Sequence, residues 1–312
     1  MSECSLVTGG AGFIGSNLVR RLVDLGQDVI VIDDLSTGSL NNLKDYLDSV
    51  KIIPGDSRIV ETAKLPELKT VYHLGIPSSS LIYRQTPSLV GETITAFTGI
   101  LERVKQDYPQ SRVIYASTSS IYNGNATPFK EDMSVYVKDY YTECRYAIER
   151  LARLYQDIHG IDSIGLRFFS VYGPHEEYKK EYANMVTQFL WELENSKTPL
   201  VYGDGTQGRD FVYVEDVVNA CILAAGSKIR CEIFNVGTGI ETSFNELIEL
   251  LSFKLGTSAR PKYVRNPIKN YVRRTLADIK KAKEKLGFVA KYTLEKGIDE
   301  IIQYYSKIRD SK

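Results

Sequence analysis

The stretch Thr8-Gly9-Gly10-Ala11-Gly12-Phe13-Ile14-Gly15-Ser16 constrains this chain more than any other. It stands between a short apolar run, 5–8, that reads as a strand, and a segment, 13–25, whose Ile14, Leu18, Leu22 and Leu25 recur on one helical face. Gly10, Gly12 and Gly15 fit a Gly-x-Gly-x-x-Gly spacing, and Gly9, Gly12 and Gly15 fit Gly-x-x-Gly-x-x-Gly. Glycines so placed let the chain turn tightly, let a pyrophosphate reach the backbone and bring helix against strand. The helix then turns its free N–H groups and positive dipole end toward the phosphate charge. The spacing alone is a weak signal. Here it comes with its strand, its helix and an acid, Asp33, about twenty residues on at the end of a second strand, 29–32. A carboxylate there accepts hydrogen bonds from an adenosine ribose and repels a 2′-phosphate, which favours NAD over NADP.

Further strand-length runs follow at 50–53, 71–74, 113–116 and 163–167, with helical segments at 89–106 and 141–158. Strand–helix alternation predicts a parallel, doubly wound sheet. After about residue 170 the rhythm breaks. Gly173-Pro174, Gly203-Asp204-Gly205 and Gly237-Thr238-Gly239 punctuate short helices and isolated strands such as 210–214. The expected organisation is therefore α/β, with a dinucleotide-binding domain over 1–170, to which later segments contribute. A smaller, interleaved substrate-binding lobe takes up most of 171–312. Near the end, Asp278 is placed to cap a helix over 279–286, Gly287 to stand at its C′ position, and Thr293 to cap the final helix.

Charge and thiol content narrow the function. Thirty-nine basic residues balance thirty-nine acidic ones, without the basic excess of a nucleic-acid binder. No apolar stretch reaches the roughly eighteen residues of a membrane span, and the N-terminus has no basic segment leading into an apolar one. The expectation is a soluble, cytoplasmic protein with no membrane partner. Cys4, Cys144, Cys221 and Cys231 are too scattered for a disulfide framework or a thiolate metal site. His73, His159 and His175 show no ligand spacing either, so no metal is expected, and His73 reads as a satisfied core histidine.

With these motifs assembled, the chain resembles the extended short-chain dehydrogenase/reductase family, and within it the NAD-dependent nucleotide-sugar epimerases and dehydratases. The resemblance runs nearly end to end. It is carried by 8–16, Asp33-Asp34-Leu35-Ser36, Gly55-Asp56, His73-Leu74-Gly75, Ser117-Thr118-Ser119-Ser120-Ile121-Tyr122, Arg167-Phe168-Phe169-Ser170-Val171-Tyr172-Gly173-Pro174, 203–217 and Leu276-Ala277-Asp278-Ile279. It implies a Rossmann-type sheet with NAD held by Gly9, Gly12, Phe13, Ile14 and Gly15. Asp33 would hold the ribose, with Asp34, Ser36 and Gly38 beside it, and Asp56 and Ser57 would lie near the adenine. Leu74, Gly75, Ile76 and Thr93 would complete the cofactor site. It further implies a catalytic hydroxyl, Thr118, four residues before Tyr122, and a Tyr-x-x-x-Lys pair on a helix. The matching positions read Tyr141-Thr142-Glu143-Cys144-Arg145, so arginine stands where the family has lysine.

Spacing of i,i+4 puts Tyr141 and Arg145 on one helix face. A phenol titrates near 10, and ionising it near pH 7 takes roughly 4 kcal/mol, which a neighbouring cation can supply. Arginine keeps that charge, but its planar fork is unlike a compact ammonium, so contacts to a nicotinamide ribose differ. A plainer reading has Arg145 pair with Glu149, also at i,i+4, and Tyr141 serve as one packed aromatic among 21 tyrosines.

The residues after Thr118 bear on the reaction. The family's 4,6-dehydratases carry Asp-Glu there and its decarboxylases a Glu, whereas this chain has Ser119-Ser120. Hydroxyls do not serve unaided as general acid and base near neutral pH, so the resemblance implies C4 epimerisation of a UDP-hexose, UDP-glucose/galactose or a UDP-N-acetylhexosamine. Tyr141 would take the C4 hydroxyl proton while hydride passes to NAD, with Thr118 orienting the oxygen. The 4-keto sugar would then turn over and receive the hydride on its other face. Ser78, Thr118 and Ser119 would face the sugar, Asn184 and Tyr202 the phosphate and uracil, and Arg209 the diphosphate. Ser170 replaces the family's asparagine. Arg273 reads equally as a second phosphate ligand or as part of a solvated face. The alternatives are an oxidoreductase with net NAD turnover and a non-catalytic NAD- or nucleotide-sugar-binding protein. Ile94, Phe97, Leu101, Val104, Ile148, Leu151 and Tyr155 are the expected core of the 89–106 and 141–158 helices, whose outer parts the family uses for a homodimer.

Overall fold

A computed structural model describes residues 3–310. The first part of the chain lays down β1 (Cys4–Thr8), β2 (Asp28–Asp33), β3 (Val50–Pro54), β4 (Thr70–His73), β5 (Arg112–Thr118) and β6 (Ser163–Phe168). Between them run α1 (Phe13–Asp24), α2 (Ser80–Gln85), α3 (Leu89–Asp107) and α4 (Tyr140–His159). The later part adds the strands β7 (Ser170–Tyr172), β8 (Leu200–Tyr202), β9 (Gly208–Arg209), β10 (Phe211–Tyr213), β11 (Cys231–Val236), β12 (Thr242–Ser243) and β13 (Lys262–Val264). Its helices are α5 (Met185–Glu194), α6 (Val214–Gly226), α7 (Phe244–Leu255), α8 (Lys280–Leu286) and α9 (Leu294–Asp310).

Seven strands form one parallel sheet in the order β11-β6-β5-β4-β1-β2-β3. This is the Rossmann-type, doubly wound arrangement. The order runs outward from β1 in both directions, so the loops after β1 and β4 part at a switch point and open a crevice at the carboxyl edge. Both faces are covered, which is why Leu6 and Val7 of β1 and Val29, Ile30, Val31 and Ile32 of β2 are apolar without alternation. On one face Leu18, Val19 and Leu22 of α1 share a cluster with Val217, Val218 and Cys221 of α6. On the other, Phe97, Ile100, Leu101 and Val104 of α3 cluster with Ile148 and Ala152 of α4. Ile94, Leu151 and Tyr155 are only half-buried. A third cluster joins Phe189 and Leu190 of α5, Leu247 and Leu251 of α7, and Ile298 and Ile301 of α9, with Phe13 of the glycine loop at its border.

The seventh strand, β11, was not among the runs picked out by periodicity. Its first half is only partly buried and carries Glu232, which interrupts the apolar signal. The strand expected over 210–214 is shorter, Phe211–Tyr213, because the Asp210 carboxylate is engaged elsewhere. It accepts from Thr238 N and Oγ1 (both 2.7 Å), Gly239 N (2.9 Å) and Ala277 N (3.1 Å), tying three loops together. The terminal caps are close to expectation. The Lys280 N–H donates to Asp278 Oδ1 at 2.9 Å, Gly287 takes a left-handed φ of 69°, and the Lys296 N–H donates to Thr293 Oγ1 at 3.2 Å. Helix α8 itself starts at Lys280, one residue later than the spacing suggested. Among the described residues no helix is long and apolar enough to cross a membrane, no group of acids, histidines and cysteines is set to hold a metal, and all four cysteines are free.

Candidate active site

The crevice deepens into a cavity of about 450 Å³ between the carboxyl edge of the sheet and the later segments of the chain. Its floor is the glycine loop. Gly9 has φ 69°, and a Cβ on Gly15 would fall 1.9 Å from Gly9 O, so α1 sits on β1 at a distance only glycine permits. No side chain caps α1 at Gly12, which leaves its first N–H groups facing the cavity where Gly12, Phe13, Ile14 and Gly15 line the wall. Uncapped donors at a helix start, with no Cβ in the way, fit a pyrophosphate, and these residues fit the dinucleotide.

Asp33 is 7% exposed. It accepts from Ala11 N through Oδ2 and from Leu35 N through Oδ1, each at 2.8 Å, so it braces the loop from behind the cavity wall. Burial pushes its pKa up, and those N–H groups pull against that rise. Several expected cofactor residues stand behind the wall rather than on it. Asp34 accepts from Ser36 N at 2.9 Å, and Gly38 packs on Ala11, where a Cβ would meet Ala11 O at 2.7 Å. Asp56 caps the turn Ser57–Glu61 and is bound by the Arg58 guanidinium at 2.7 Å, which holds its carboxyl below the usual range. The Ser57 hydroxyl donates to Gly75 O at 3.0 Å, and buried Thr93 is 2.8 Å from the Tyr83 hydroxyl. Leu74, Ile76 and Ser78, after β4, do line the cavity, as does Thr37, which no motif flagged.

The opposite wall carries Thr118, Ser119, Tyr141 and Arg145. Thr118 ends β5, with Ser119 next to it on the wall, and its Oγ1 accepts from Ser120 N at 3.1 Å. Tyr141 lies in the first turn of α4, a helix started by a reciprocal cap between Asp139 and Thr142. The Tyr141 ring packs 5.7 Å from that of Tyr83, and the Arg145 guanidinium carbon sits 5.2 Å from its centroid. Arg145 is 2% exposed, and its Nη1 and Nη2 donate to Ala116 O (2.6 Å) and Pro77 O (3.0 Å). The alternative pairing of Arg145 with Glu149 is not formed. Glu149 is taken by Arg167 of β6, whose Nε and Nη2 donate to it at 2.9 and 2.7 Å, and by the Ser117 hydroxyl at 2.5 Å. His73, expected to be fully satisfied, is bonded only at Nδ1, 2.8 Å from Thr8 Oγ1; its Nε2 has no partner. Burial, and then the nearby Arg145 charge, push His73 down to about 3.

At the far end, Asn184 caps α5 and donates through Nδ2 to Ser170 Oγ (3.0 Å) and Val171 O (2.9 Å), so the two are brought together on the wall. The Arg209 guanidinium is flanked by the rings of Phe244 and Tyr271, each 5.4 Å away, and its Nη1 donates to Arg273 O at 3.1 Å. Tyr202 and Arg273 are not on the wall. The Tyr202 carbonyl accepts from Gln207 Nε2 at 2.7 Å, and the Arg273 side chain is exposed, reaching Thr206 Oγ1 at 3.4 Å, which is the solvated placement. Spacing also missed Asn270 and Tyr271, which line the cavity from a segment tethered by Asn123 Nδ2 to Asn270 O (2.9 Å) and by Arg84 Nη2 to Lys269 O (3.1 Å).

A family model described as the NAD dependent epimerase/dehydratase family matches residues 5–237. The chain is 33% identical over 302 residues to the putative UDP-glucose 4-epimerase of Methanocaldococcus jannaschii, spanning 96% of this chain and 97% of that protein. The crystal structure of UDP-glucose 4-epimerase with UDP-glucose from Thermotoga maritima superposes with a TM-score of 0.91 at 32% identity, covering 98% and 99% of the two chains. That of dTDP-glucose 4,6-dehydratase from Bacillus anthracis, in complex with NAD, gives 0.87 at 25% identity, covering 99% and 98%.

Proposed function

Because the chain belongs to the NAD-dependent epimerase/dehydratase family, a family of enzymes that work with NAD, we propose that it inverts C4 of a UDP-hexose through a 4-keto intermediate. The substrate would be UDP-glucose/galactose or a UDP-N-acetylhexosamine. The observation that carries this reading is the set of groups on one wall: Thr118 and Tyr141 with a buried guanidinium behind the phenol, and no free carboxylate. Among the described residues the one acid on the wall is Asp139. It is engaged by Thr142 N and by the Ser80 hydroxyl, each at 2.8 Å. Elimination of water and decarboxylation call for an acid–base group beyond the phenol. Epimerisation does not.

NAD, when bound, supplies the hydride acceptance and return. Tyr141 takes the C4 hydroxyl proton on its phenolic oxygen and later gives it back. Thr118 Oγ1 already accepts from Ser120 N, so its own hydrogen is available to the same sugar oxygen and orients it. Arg145, fixed by two carbonyls, holds its positive charge behind the phenol, the guanidinium carbon 5.2 Å from the ring centroid. Arg209 supports the UDP diphosphate with a planar fork suited to phosphate oxygens, and Asn184 with Ser170 lies beside it. The same reading includes a homodimer through the outer faces of α3 and α4, supported by the exposed Leu154 (48%) and Ile158 (68%) on α4.

The test is incubation of the protein and NAD with a panel of nucleotide sugars, with products resolved by anion-exchange chromatography. The expected result is a pair of C4 epimers interconverted with no net rise in nicotinamide absorbance, abolished in Tyr141→Phe while NAD stays bound. Steady accumulation of reduced cofactor would replace the proposal with the oxidoreductase reading. Ligand binding without exchange of the C4 hydrogen would replace it with a non-catalytic one.

A further inference from the structure

Two buried nitrogens remain unexplained by the site as described. Arg145 Nε and His73 Nε2 are both closed off from solvent and have no hydrogen-bond partner. An unpaired buried donor is costly, and a guanidinium cannot shed its proton to escape that cost. A neutral imidazole, by contrast, offers one N–H and one lone pair, and its surroundings choose which nitrogen carries which.

The fold brings these two groups into one buried neighbourhood, where the Arg145 charge acts on the His73 ring. Strands β4 and β5 pair with His73 opposite Tyr115. Arg145 holds the carbonyl of the next residue on β5, Ala116, and that of Pro77, four residues after His73. A cation beside the ring disfavours an N–H on a nitrogen that faces it, and a lone pair on Nε2 would put the proton on Nδ1, 2.8 Å from Thr8 Oγ1. Thr8 Oγ1 also accepts from Gly75 N at 3.2 Å, and Gly75 lies against Gly9, whose Cβ, if present, would come within 2.6 Å of it. From His73 the contacts run through Thr8 and Gly75 to Gly9 in the glycine loop.

We propose that His73 is a positioning residue whose Nε2 lone pair accepts from Arg145 Nε–H in the working enzyme, directly or across one water, and so fixes the guanidinium behind Tyr141. The proposal rests on the roles given to Tyr141 and Arg145 above.

Two substitutions separate this from simple packing. His73→Asn keeps an amide near the Nδ1 position, facing Thr8, and lacks any atom at Nε2; His73→Gln reaches the Nε2 position with an amide oxygen. Side-chain ¹⁵N–¹H spectra of the full chain with NAD, assigned by the loss of one signal in Arg145→Lys, should show an Arg145 Nε–H protected from exchange and an unprotonated His73 Nε2. In His73→Asn the protection should be lost and kcat should fall about tenfold, the size of one hydrogen bond to a charged group, with KM within twofold. His73→Gln should restore both. A proton on His73 Nε2, or unchanged exchange and kcat in His73→Asn, would overturn the proposal. Equal losses in both variants, matched by equal falls in melting temperature, would also overturn it and leave a packing role. Should no sugar be turned over by any form, the reading of Tyr141 fails while the spectra still decide the His73–Arg145 contact.

Discussion

Cutting the carboxylate from Glu149 should release the helix that carries Tyr141. One turn beyond Arg145, Glu149 receives the Arg167 fork at 2.9 and 2.7 Å and the Ser117 hydroxyl at 2.5 Å, with the ion pair's side chains 3% and 5% exposed. It thereby bolts α4 to both β5 and β6. In Glu149→Ala the guanidinium stays buried with only the Tyr122 hydroxyl (2.6 Å) and Glu131 O (3.3 Å) as acceptors. Breaking a buried pair by removing one partner costs about 3–5 kcal/mol. In urea, at a slope of about 3 kcal/mol per molar, the unfolding midpoint should drop by roughly 1–1.7 M. Glu149→Leu combined with Arg167→Met removes both charges and fills the space with apolar atoms, so the double variant should lose less than either single truncation. Equilibrium urea unfolding followed by circular dichroism measures all of them. A loss below about 1 kcal/mol in Glu149→Ala, or a double variant that loses the sum of its parts, would refute the reasoning.

The glycine loop offers a sharp contrast. Gly15→Ala places a Cβ 1.9 Å from Gly9 O and 2.8 Å from Gly10 Cα, backbone against backbone, so both the melting temperature and NAD binding should be lost together. Gly12→Ala meets only Gly9 O at 3.1 Å and should melt near the parent while binding NAD at least about tenfold more weakly by calorimetry, because the methyl group enters the pyrophosphate path. Arg145→Lys should lower turnover rather than raise it, and cost about 1 kcal/mol of stability, since a single ammonium cannot repeat the planar span between Ala116 O and Pro77 O; a faster enzyme would contradict this. His73, buried, and His175, half-buried, are held neutral, pushed down to about 3 and about 4 chiefly by desolvation. The unfolded chain therefore takes up protons below its ordinary histidine pKa of about 6.5 that the folded chain refuses. Their stabilisation is complete above that value and is lost as pH falls toward the folded values, by about 1.4 kcal/mol per pH unit for each. Urea unfolding at pH 5 and pH 7 should show the stability difference shrink by about 2 kcal/mol in His73→Gln, the slope acting over the interval from about 6.5 down to pH 5.

Local patterns reached as far as local physics does. The glycine loop, its strand and helix, Asp33 and the six early strands were legible because each is a short-range signal of period or turn chemistry. Spacing placed Tyr141 and Arg145 together correctly, yet the same i,i+4 spacing offered Glu149 as the arginine's partner. The outcome was decided by Arg167, eighteen residues further along the chain, whose bidentate geometry on Glu149 no helical pattern encodes. Strand β11 escaped notice because half of it is solvated. Asn123, Asn270 and Tyr271 escaped because the cavity's outer wall is assembled from loops without period. The orphaned Nε2 of His73 is a three-dimensional fact throughout.

The position of β11 has a consequence for how such a chain is made. It covers the edge of β6 only after the polypeptide has passed through α5 and α6. Until Val236 has left the ribosome, β6 presents a bare row of amide donors and acceptors on an apolar ribbon, an invitation to intermolecular pairing. A gene cut near residue 170 would make that nascent hazard permanent. The two halves should therefore be inseparable as expression cassettes, and swapping the C-terminal half between relatives would exchange a structural rib of the sheet together with the far wall of the cavity.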